Sequence, residues 1–146
     1  MKKNISKRRR LFGEGRNRRL GLFGSRNLQL ADARTKAALE KWIDARGYAD
    51  SRADMGTVAE QLGVSSLQLS YYFRVIVGKT FLAWRKEIRI REAQELLIRY
   101  PERSVASIGE AVGITDKSNF RRQFVEVTGM TPIAYRESQL SGSKKQ

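Results

Sequence analysis

From Asp32 to Ser138 apolar residues recur every three or four positions, and no segment alternates well enough to read as a strand. The pattern predicts an all-α chain. In DARTKAALEKWIDARG, Ala38, Trp42 and Ala45 fall near one face with Leu39 and Ile43 beside them; Asp32 is the expected N-cap and Gly47 the expected stop. A polar stretch leads to a short helix at Met55–Leu62, a Gly63-Val64 turn, and a longer helix that Ser65 is placed to cap, ending at about Val77. Thr80 is set to cap the longest periodic run, TFLAWRKEIRIREAQELLIRY, which Pro101 ends. Ser104 then opens a short helix to about Val112, Asp116 caps another through about Val127, and Gly129 stops it. Thr131 caps the last helix, with Pro132 at its first position, where a missing N–H costs nothing.

Residues 78–85, GKTFLAWR, and residues 129–136, GMTPIAYR, agree in Gly, Thr, Ala and Arg, with Leu82 against Ile133 and Trp84 against Tyr135. Extended outwards, 58–87 aligns with 108–138 after one inserted residue. Val58 falls on Ile108, Gly63 on Gly113, Val64 on Ile114, Leu69 on Phe120 and Phe73 on Phe124. A repeat of about thirty residues is one supersecondary unit used twice. The unit is short helix, turn, longer helix: a helix-turn-helix, whose crossing needs a small residue at the closest approach and a turn residue tolerant of positive φ. Ala59 and Gly63, like Gly109 and Gly113, stand at the two required places. Leu69 with Phe73, and Phe120 with Phe124, are spaced to pin each second helix to the core.

The expected architecture is therefore seven helices in two helix-turn-helix subdomains, at about 54–77 and 104–128, joined by a linker helix at about 80–100, all within residues 32–140. Residues 1–31 mix Arg and Gly with isolated Leu and Phe and read as a basic disordered arm; 141–146 read as a tail.

Charge narrows the function. The net charge is +14, and residues 1–30 hold ten Lys/Arg against one acid, Glu14. Such a balance points to a polyanion, nucleic acid first and an anionic membrane surface second. No apolar run of about 18 residues exists, and no apolar segment follows MKKNISKRRR, so neither a membrane span nor a secretory signal is expected. Cysteine and histidine are both absent, which removes thiolate metal sites, the commonest metal ligand and the commonest general base. The chain is expected not to be an enzyme and to need no cofactor or metal.

The spacing across about residues 32–138 resembles the DNA-binding domain of the AraC/XylS family of transcription regulators. The resemblance rests on Gly113-Ile114, the aromatic pair Phe120 and Phe124, Gly129-Met130-Thr131-Pro132, Tyr135-Arg136, and, in the linker helix, Arg89-Ile90, Ala93 and Leu96-Leu97. Two departures are Gly109, where the family usually has Ala, and Ile114 in place of its common Phe. The resemblance implies a bacterial, cytoplasmic, nucleoid-associated regulator whose partners are double-stranded DNA, RNA polymerase and a separate sensor or dimerisation domain, with no membrane.

The residues support a DNA reading of their own. About 21 helical residues span roughly 30 Å, near the ~34 Å that separates successive major-groove faces, so one chain could present two recognition helices to one face of a duplex. The outward face of the first offers Ser66, Leu67, Gln68, Ser70, Tyr71 and Arg74; that of the second offers Lys117, Ser118, Asn119, Arg121 and Arg122. Arg suits guanine, and Asn and Gln suit adenine. By resemblance, Leu67, Ser70, Tyr71, Lys117, Ser118, Arg121 and Arg122 occupy positions the family turns to DNA. The first helix, poor in charge, either reads thymine methyls through Leu67 and Tyr71 or mainly positions the domain. Trp42, Phe81, Trp84 and Tyr135 lie on apolar faces and are expected in the core. The alternative function is a non-specific nucleic-acid-coating protein acting through the basic arm, in which the duplication has no role.

Overall fold

The computed structural model describes residues 25–143. Among these described residues seven α-helices follow one another: α1 (Ser25–Asp44), α2 (Met55–Leu62), α3 (Ser66–Tyr71), α4 (Phe81–Arg99), α5 (Val105–Ala111), α6 (Lys117–Thr128) and α7 (Pro132–Ser143). Among the described residues there is no strand. The all-α, two-motif expectation is met.

Three local expectations are corrected. The helix expected to start at Asp32 begins at Ser25, so Ser25–Ala31, assigned to the arm, are helical; the rest of the arm lies outside the described residues. Thr35, a polar residue in a fully buried slot, joins this earlier turn to the rest of the helix. Its hydroxyl donates back to the Ala31 carbonyl at 2.9 Å, satisfying the helix instead of breaking it. Asp32 is thus half-buried within α1, and burial raises its carboxyl pKa. At the far end of α1 it is Arg46, with φ 57°, and not Gly47 that takes the left-handed conformation. Gly47 leaves the space that the Trp42 indole occupies. Finally, α7 runs to Ser143, three residues into the expected tail; residues 144–146 lie outside the described residues.

The expected 65–77 helix is also not uniform. After α3 the chain winds as a π-helix over Tyr72–Val77, closed by an i→i+5 hydrogen bond from the Gly78 N–H to the Phe73 carbonyl at 2.8 Å. Tyr72, Phe73 and Val77 are all buried there. Wider winding lets Val77 follow Tyr72 onto the inner face. The second copy stays α-helical through Thr128, and there the residue matching Tyr72 is the half-buried Gln123.

The chain divides into two compact units. Among the described residues, one comprises 25–47 and Ala53–Trp84; the other comprises Tyr48–Arg52 and 85–143. The first is organised by aromatics: Phe73 lies 4.8 Å from Trp84 and 5.3 Å from Phe81 between ring centroids, and Trp42 stacks on Trp84 at 6.2 Å. Each such pair adds about 0.5–1.5 kcal/mol beyond area burial. Trp42 further donates its indole N–H to Gln61 Oε1 at 3.1 Å.

The second unit is centred on Ile90, Ala93, Leu97, Ile108, Val112, Ile114, Phe120 and Phe124, with half-buried Tyr135 edge-on to Phe124 at 5.6 Å. Two arginines tie it to main-chain carbonyls. Buried Arg89 donates to the Tyr48 carbonyl and, at 2.9 Å, to that of Asp50. Burial, aided by Arg85 and opposed by Asp50, pushes its pKa down to about 10, so it stays cationic at neutral pH. Arg136 donates to the Leu97 carbonyl at 2.9 Å and the Tyr100 carbonyl at 3.3 Å, satisfying acceptors that the end of α4 leaves open.

Candidate nucleic-acid interface

Each helix-turn-helix is built by the same local chemistry. In the first unit, Asp54 caps α2 and Gly63, at φ 71°, ends it. Ser65 is extended, and its hydroxyl accepts the Gln68 N–H at 3.1 Å, which starts α3. In the second unit Ser104 caps α5, Gly113 turns at φ 89°, and Asp116 accepts the Asn119 N–H at 2.7 Å to start α6. Fully buried Leu69 and Phe120 face inward one turn later, which fixes what the remaining positions can present.

On α3, Ser66 and Leu67 are exposed, and Leu67 is 82% exposed. Gln68 is half-buried and carries its amide toward Thr35, Nε2 to Oγ1 at 3.5 Å. Ser70 and Tyr71 are half-buried and Arg74 is exposed. Ser70 and Arg74 also line a cavity of about 420 Å³ with Lys79, Thr80 and Leu82, which mixes cations and hydroxyls with apolar side chains. Behind α3, burial followed by the charges of Asp32 and Glu40 pushes the Tyr72 phenol up to about 12.

On α6, Lys117, Ser118, Arg121 and Arg122 are exposed and Asn119 is half-buried. Asn119 Oδ1 accepts from Arg122 Nη2 at 2.7 Å and from Gln123 Nε2 at 3.0 Å. One turn on, Glu126 pairs with Lys86 at 3.0 Å; that hydrogen bond and charge, with Arg122 contributing, hold its carboxyl below the usual carboxylate range. Arg122 is therefore held by a neighbour instead of swinging free. Sequence reasoning placed Asn119 among the readers and missed its hold on Arg122, although the (i, i+3) spacing carried the signal.

The two faces differ chemically at matched positions. Where α6 has Lys117, Arg121 and Arg122, α3 has Ser66, Ser70 and Tyr71. Among the described residues no cluster of acidic, histidine or cysteine side chains could hold a metal ion. No described helix is long and apolar enough to cross a membrane.

A capped second helix behind a left-handed glycine turn, twice over, defines helix-turn-helix architecture. A family model described as a helix-turn-helix domain matches residues 58–138. The arabinose operon regulatory protein of Salmonella typhimurium (strain LT2) is 34% identical over 105 residues, covering 72% of this chain and 36% of that protein. Its namesake from Escherichia coli (strain K12) is 36% identical over 88 residues, covering 60% of this chain and 30% of its own length. The chain thus spans about a third of the curated relatives it matches. Among solved structures, the C-terminal domain of the response regulator yesN from Fusobacterium nucleatum superposes with a TM-score of 0.60 at 31% identity, covering 67% of this chain and 94% of that one. The C-terminal domain of AraT, a response regulator from Geobacillus stearothermophilus, gives 0.59 at 27% identity, with 82% and 88% covered. The chain belongs to the AraC/XylS family, and residues 58–138 fall in its C-terminal helix-turn-helix DNA-binding domain.

Proposed function

We propose that this protein is a transcription regulator that reads double-stranded DNA sequence-specifically with α3 and α6, each entering a major-groove segment, the two segments being successive. The observation that carries the reading is the second face: Lys117, Arg121 and Arg122 exposed on one capped helix, with Arg122 oriented by Asn119. An oriented guanidinium suits bidentate bonding to guanine O6 and N7, while its neighbours suit phosphates. The two-segment part rests on the duplication and on the length of α4, whose 19 residues come to roughly 28 Å at about 1.5 Å each. RNA polymerase and a separate sensing or dimerisation domain are the proposed protein partners, and the bacterial nucleoid is the proposed place of action.

The test is selection of a bound duplex from a random pool, followed by salt titration of binding by the full chain and by a version lacking residues 1–24, which keeps α1 whole. Retained preference for the selected over a scrambled duplex after truncation supports the reading, with a smaller salt slope because fewer phosphates are neutralised. If truncation abolishes binding and the full chain shows no preference, the chain coats nucleic acid through its basic arm. On the selected site Arg122→Ala should cost about 1–3 kcal/mol and relax one base position, and a footprint should show two protected segments about one helical turn apart.

A further inference from the structure

The most exposed large apolar side chain among the described residues is Leu67, at 82%. It sits in the first turn of α3, directly after the Ser65 cap and Ser66. On a recognition helix that is where side chains meet base edges. Most of its apolar surface stays in water in the free chain, a cost that burial against another apolar group would reverse.

The surroundings of Leu67 say what that group is. From Ser66 to Phe73 the helix carries no charge, and the nearest cation along it, Arg74, lies about two turns on. Gln68, the residue best suited to adenine, has its amide toward Thr35. Tyr71 is half-buried, one turn beyond Leu67. The outermost surface of the first turn is therefore aliphatic, flanked by serine. In the major groove one base alone displays an apolar group, the C5-methyl of thymine. At the matching position of α6 stands Ser118, next to Lys117, so the second face lacks this device.

We infer that Leu67 is a specificity-determining residue that reads the methyl group of one thymine, so that the first recognition helix selects a T·A pair by apolar contact while the second holds guanine and phosphate by charge. This rests on the proposed function. It excludes the view that the first helix serves only to position the domain.

The test uses the full chain and the selected duplex, with each thymine in turn replaced by deoxyuridine, which deletes the methyl and keeps every hydrogen bond. One replacement should weaken binding by the parent about fourfold, the worth of one buried methyl. With Leu67→Ala the same replacement should change nothing, while other thymines keep their effect. Because Leu67 lies outside the core, the variant should melt with the parent. If no replacement affects the parent although it still prefers the selected duplex, the inference fails and the proposed function stands. The inference also fails if Leu67→Ala shows the full fourfold loss at the same thymine. A parent that self-associates without DNA where Leu67→Ala does not would make Leu67 a contact between copies and overturn it. A parent indifferent to the selected duplex overturns the proposed function and this inference together.

Discussion

Gly63 and Gly113 occupy the same turn of the repeat, at φ 71° and 89°, yet replacing each by alanine should cost different amounts. At both positions an L-residue in the left-handed region costs about 1–2 kcal/mol, offset by about 0.4–1 kcal/mol because alanine restricts the unfolded chain. Around Gly63 nothing lies within 4 Å of where a β-carbon would sit, so about 1 kcal/mol is the whole penalty. At Gly113 that carbon would lie 2.5 Å from the Ala49 carbonyl oxygen and 2.9 Å from its carbon, both backbone atoms. Forcing them apart adds the ~1–3 kcal/mol of overpacking, for a total of about 2–4 kcal/mol. Urea unfolding checks this. Both tryptophans, Trp42 and Trp84, lie in the first unit, so their fluorescence reports Gly63→Ala, while far-ultraviolet circular dichroism follows both units. With a slope of roughly 2 kcal/mol per molar, the Gly113→Ala midpoint should drop by about 1–2 M and the Gly63→Ala midpoint by about half a molar. Equal shifts would refute the steric argument and leave φ as the only cost.

Tyr72, with its phenol raised to about 12 against an ordinary 10, is held neutral by the fold. Its contribution is intact below pH 10 and is lost as pH rises through 12, so in an ultraviolet titration Tyr72→Phe should remove a step near pH 12 and flatten the alkaline fall in stability. Gly109→Ala would bring a β-carbon within 2.9 Å of the Ile114 carbonyl oxygen and 3.0 Å of the Phe120 ring. The roughly 1 kcal/mol of helix propensity gained should be outweighed, and the melting temperature should fall, not rise. Arg136→Ala should destabilise by about 1–2 kcal/mol, discounted for partial exposure, by leaving the Leu97 and Tyr100 carbonyls to solvent; Arg136→Lys should recover part of the loss in the same melt.

Local signals were legible in the sequence. Ser65, Ser104 and Asp116 cap where their spacing predicts, Gly63, Gly113 and Gly129 turn with positive φ, and Pro132 opens α7. Most of what escaped reading depends on partners distant along the chain or on winding. Thr35 looks solvent-facing until the burial of α1 is known. The π-helix follows from where Tyr72 and Val77 must point, which the apolar run YFRVIV leaves open. Gln68 is spaced like a base reader, and only Thr35, 33 residues earlier, draws its amide aside. The outward residues of α6 are legible because they surround Phe120 and Phe124, and the hold of Asn119 on Arg122 is also local, carried by their (i, i+3) spacing.

Tyr48–Arg52 bears on how this molecule can be divided. These five residues precede the first helix-turn-helix in the chain, yet they belong with the second unit, where they supply the acceptors for Arg89 and the backbone against Gly113. A ribosome releases them some sixty residues before Gly113 emerges. The second half must therefore complete itself from a strap made early and kept waiting. A gene cut at the seam of the duplication would deliver a first half whole but a second half missing part of its wall, so the two copies, alike in motif, are no longer exchangeable cassettes.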